Sequence, residues 1–152
     1  MTKENWALFF HLFGAFLLVA GVAVAGYAFE AARRRSSPTE IALLLGVARA
    51  AVPLVGLGSL LVLVFGLWLV HIESVGFDAG WVQAAIALFV VLMVLGGLGG
   101  RAPRRARELA QAGEDTSELR RALDDRAAMA FNYGSAVIAL AIIVLMVFKP
   151  GG

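Results

Sequence analysis

Four stretches of this chain, residues 6–29, 51–72, 81–100 and 127–148, each run for 20 to 24 residues without one Asp, Glu, Lys or Arg. A helix rises 1.5 Å per residue, so about 20 residues cover a hydrocarbon core of roughly 30 Å. Buried helices of a soluble bundle would each keep a polar face; these stretches keep none. Lipid offers no partners to free backbone groups, so such segments must be helical. The fold class that follows is all-α, a polytopic membrane four-helix bundle forming a single domain over residues 1–152. Composition agrees: apolar residues are 61% and charged residues 16%, against roughly 45–50% and 25% in soluble domains. The absence of cysteine excludes disulfides, thiolate metal sites and thiol nucleophiles.

The first stretch reads as a retained helix and not as a secretory signal. A signal carries positive charge before a shorter apolar core, whereas here Lys3 and Glu4 cancel and the arginines come afterwards. Eleven of the 13 basic residues lie in two loops, 30–50 and 101–126, and the loop 73–80 has none. Basic loops stay in the cytosol, which predicts an N-out/C-out chain with 73–80 outside. Trp6, Trp68 and Trp81 all fall near the outer ends, where amphipathic rings prefer to sit. The expected location is the bacterial inner membrane, with arginines facing anionic headgroups and no nucleic acid among the partners.

Ser37-Pro38-Thr39-Glu40 reads as an N-cap, an N1 proline and a capping-box glutamate. The helical pattern then runs to Ile72, too long for the bilayer alone. Arg49 marks the cytosolic surface, with 41–47 lying along it or extending below. Pro53 cannot donate to the Arg49 carbonyl, so a kink is expected near that turn. Gly113 divides the second loop into two short helices, the second capped at 115–117. Gly14 and Gly21, then Gly56, Gly58 and Gly66, then Gly96 and Gly100, mark faces where membrane helices can approach closely or copies of the chain associate.

The residues with a route to chemistry are few. His11 and His71 both fall in the outer leaflet. Facing imidazoles could ligate haem, or hold a metal ion with Glu73 or Asp78. The plainer expectation has His11 turned inward and bonded to a neighbouring helix, with His71 reaching the interface near Trp68 or Trp81. Arg49 is an interfacial anchor or an anion contact. Asn132 and Tyr133 serve interhelical hydrogen bonding, or contact a quinone or polar substrate. A proton pump, ion channel or ion-coupled transporter normally has a charge at mid-membrane, and this chain has none there. No phosphate cradle or paired carboxylates stand out either.

The stretches HLFGAFLLVAGVAVAG, VARAAVPLVGLGSLLVLVFGLWLV, RRARELAQAG and LMVFKPGG resemble those of uncharacterised bacterial four-helix integral membrane proteins grouped as a domain of unknown function. That resemblance covers nearly the whole chain and implies the membrane fold without an activity. His11 preceding Gly14 is similar to the first helix of copper-resistance D and protoporphyrinogen-oxidase-like membrane proteins. That similarity implies haem b or copper bound through His11.

The leading expectation is a non-enzymatic scaffold, accessory subunit or small-ligand binder without a cofactor. The alternative is a haem- or copper-binding membrane redox protein using His11 and His71.

Overall fold

The computed structural model describes residues 2–72, 76–113 and 117–149. Its helices are α1 (Lys3–Arg33), α2 (Pro38–Ile72), α3 (Gly80–Gly99), α4 (Arg101–Gln111), α5 (Ser117–Leu123) and α6 (Arg126–Phe148). Among the described residues four helical segments are long and apolar enough to cross a membrane, and each contains one of the four charge-free stretches. α2 begins at Pro38, as predicted, and continues unbroken through Pro53. The 41–47 segment therefore belongs to the same helix as the charge-free stretch 51–72. Gly113, at φ +74°, follows α4 and precedes α5; the predicted cap at Asp115 and Thr116 lies outside the described residues. Asp125 starts α6, its carboxylate accepting from the Ala127 and Ala128 N–H groups.

The spans pack as two pairs, α1 on α2 and α3 on α6, with α1 meeting α6 more lightly. Lipid tails are as apolar as leucine, so van der Waals contact, not water exclusion, must hold such pairs. Glycine supplies that contact between α1 and α2. A Cβ on Gly14 would stand 2.9 Å from the Val62 nitrogen, and one on Gly58 would stand 2.5 Å from the Leu18 nitrogen. Gly21 meets Val55 in the same way. Gly56 and Gly96 make no such approach within the chain: no atom lies within 4 Å of where a Cβ would be. They point away from the neighbouring helices.

At the basic end the physics changes, because the loops can reach water. There Phe29, Ile41, Leu45, Leu119 and Leu123 form a core with Ala32, Ala106, Ala110 and Ala128. α4 packs on α2 here, and Ile41 and Leu45 are buried in one cluster with Ala106 and Ala110 of α4 and Leu119 and Leu123 of α5. Burying each such side chain is worth about 1.5–3 kcal/mol. Polar bonds fix the same layer: Arg33 pairs with Glu30 at 2.9 Å and with Asp124 at 3.3 Å. The basic layer thus fastens the two pairs at one end.

Candidate functional site

At the opposite, distal end the two pairs part around a cleft of about 230 Å³. All four spans line it. Its walls include Leu12, Val62, Leu67, Phe89 and Ile142, and its titratable side chains are His11 and Lys149.

His11 is half-buried, with Nδ1 3.1 Å from the Val62 carbonyl of α2. A helical carbonyl already accepts from the N–H four residues later and keeps a second lone pair. That residue here is Gly66, whose missing side chain leaves the carbonyl uncovered. A Cβ on Gly66 would stand 2.9 Å from His11 Cε1. The glycine thus makes room for the imidazole. His11 is turned inward and bonded to a neighbouring helix, the arrangement the sequence led us to expect. Phe10, one residue earlier, stacks on Phe65 at 4.8 Å, continuing to Trp6 and Trp68.

Trp81, at the start of α3, differs from the other two tryptophans in its packing. It is only 7% exposed and lines the cleft, whereas Trp6 and Trp68 are 46% and 42% exposed. α6 is capped by Lys149, which adopts the left-handed conformation at φ 39°. This turn brings Nζ to 5.4 Å from the Trp81 ring centroid, a cation–π contact at the rim.

The other sequence candidates fall elsewhere. His71 is exposed and does not line the cleft. It lies nine residues beyond Val62, about 13 Å along the helix. Glu73 lies outside the described residues, and Asp78 is exposed. Among the described residues no group of three or more His, Cys, Asp or Glu could hold a metal ion. Arg49 and Tyr133 are exposed. Asn132 is half-buried, with its amide oxygen 3.1 Å from where a Gly26 Cβ would sit. The cleft groups that sequence reasoning missed are Phe89, Met146 and Lys149. Two are ordinary apolar span residues, and Lys149 reads as a tail charge.

Chemically, the cleft can hold an apolar molecule and offer it one imidazole. Neither a curated protein nor a solved structure matches the chain. A family model described as a predicted integral membrane protein (DUF2269) matches residues 6–150. Four charge-free spans and a match over almost the whole length agree: the chain belongs to this family of multi-pass integral membrane proteins.

Proposed function

We propose that the protein is a non-enzymatic membrane protein that binds a small apolar ligand in the distal cleft. The observation that supports this reading is a cavity lined by all four spans, with one imidazole set in its wall. In this reading the basic loops lie in the cytosol of a bacterial inner membrane, against anionic headgroups, and the cleft opens toward the outer leaflet. A photoactivatable alkyl diazirine, added to the protein in lipid nanodiscs, tests the binding role. Crosslinks should concentrate on cleft residues such as Met146 and Ile86. They should fall in Leu12→Trp, where an indole replaces a side chain that lines the cavity. Even labelling over all lipid-facing residues, unchanged by Leu12→Trp, would remove the proposal.

A redox reading of His11 has one observation in its favour. Metal-ligating histidines commonly donate their second ring N–H to a carbonyl, and His11 Nδ1 contacts the Val62 carbonyl. Met146, on the same cleft, adds a thioether, which suits Cu(I). Haem fits poorly: a cleft of about 230 Å³ has room for one six-membered ring and not for a four-pyrrole macrocycle. Cu(I) titration discriminates, since a copper site would lose its stoichiometric binding in His11→Ala. A Soret band on the purified protein would revive the haem reading.

A further inference from the structure

We infer that the cleft selects a ring-hydroxyl compound, a phenol or quinol, whose hydroxyl donates to His11 Nε2. This rests on the binding role proposed above and adds the ligand class. A carbonyl oxygen can only accept, so the 3.1 Å contact with Val62 puts the ring hydrogen on Nδ1. No carboxylate is among the residues lining the cleft. The neutral ring, with its single N–H, is therefore the form that the apolar walls accommodate. Nε2 then carries a lone pair and has no partner among the described residues.

Nδ1 and Cε1 are turned to α2 at Gly66, so the Nε2–Cδ2 edge is the one not packed on α2, and His11 lines the cleft. An acceptor set in an apolar wall is satisfied only by a donor, and leaving it unpaired on binding carries a desolvation penalty. A quinone carbonyl, an ether or an ester brings only acceptors, which Lys149 at the rim can meet and Nε2 cannot. A hydroxyl brings the donor.

Size selects the ring. An apolar cavity of about 150 Å³ takes up benzene, so about 230 Å³ admits one six-membered ring with small substituents. Trp81 and Phe89 supply aromatic walls for it. A longer substituent would leave through the open side into lipid.

The test uses the full chain in lipid nanodiscs and three probes: 4-octylphenol, its methyl ether 4-octylanisole, and 1-dodecanol. Trp81 reports binding from the cleft itself in a Trp6→Phe, Trp68→Phe background. 4-Octylphenol should saturate at about a tenfold lower concentration than the ether, the order of one net hydrogen bond. 1-Dodecanol should give no saturable change. His11→Leu should bring the phenol down to the level of the ether, while His11→Gln, which keeps an acceptor oxygen, should retain part of the preference. Equal binding of phenol and ether by the unsubstituted His11 protein would overturn the hydroxyl assignment whatever the variants do. An undiminished preference in His11→Leu would do the same. Saturable binding of 1-dodecanol as strong as that of the phenol would overturn the ring. Binding of none of the three would remove the cleft-binding role itself and the selection with it.

Discussion

Arg120 on α5 holds the end of α1 and the turn that follows it: Nη2 donates over 2.7 Å to the carbonyl of Arg35, two residues past the helix, and Nη1 reaches the carbonyl of Arg33, its last residue, at 3.5 Å. The last carbonyls of a helix lack intrahelical partners and carry the negative end of its dipole. One guanidinium therefore supplies both donors and positive charge, across 85 residues of sequence.

Arg120→Ala should loosen the basic layer. Bonds to charged groups contribute roughly 1.5–3 kcal/mol each when well formed; this side chain is part-exposed, so the expected loss is about 1–2 kcal/mol. Arg120→Lys should recover only part of it, because an ammonium cannot span two carbonyls as the planar fork does. Unfolding in mixed micelles, followed by helical circular dichroism, measures both. Stability unchanged in Arg120→Ala would remove the capping role.

Glu30 gives the layer a pH dependence. Partial burial alone pushes its carboxyl up. The hydrogen bonds and charges of Arg33 and Arg34 outweigh that and hold it below its ordinary value of 4.5. A depressed value in the folded state means stabilisation that is present above the ordinary value and lost as pH falls through the depressed one. The stability gap between the parent chain and Glu30→Gln should stay constant from neutral pH to about pH 5 and shrink below about pH 4. Thermal melts of both proteins across that range check the sign; a gap that widens in acid would contradict it.

Two neighbouring glycines should respond oppositely. Replacing glycine by alanine in a helix gains roughly 0.5–1 kcal/mol. At Gly56 nothing lies within 4 Å to oppose it, so Gly56→Ala should be neutral or stabilising. At Gly58 the new Cβ would meet the Leu18 backbone at 2.5 Å. Forcing α1 and α2 apart should cost about 1–3 kcal/mol. Unfolding of the two variants side by side separates close packing from helix propensity, and equal effects would deny that the approach at Gly58 matters.

The absence of cysteine permits a direct test of orientation. Asp78 and Ser36 are exposed and lie in loops at opposite ends of α2 and α3. An impermeant maleimide should label Asp78→Cys in intact cells, and Ser36→Cys only after the membrane is opened. The reverse pattern would invert the topology read from the basic loops.

How many spans there are, where they lie and which loops carry the arginines were legible in the sequence. Lipid imposes length, apolarity and backbone satisfaction on each segment separately. Local backbone chemistry was legible for the same reason, as at Pro38 opening α2 and Gly113 parting α4 from α5. The faces were not. A segment apolar all round has no polar side to say which way it turns. Gly58 and Gly56, two residues apart, read alike in the sequence, and only one meets a helix. Trp81 reads like Trp6 and Trp68, yet it is buried under Lys149. The pairing of His11 with Val62 spans 51 residues, and that of Arg120 with Arg35 spans 85. Such contacts exist only once the helix pairs have docked, and that docking decided the cleft.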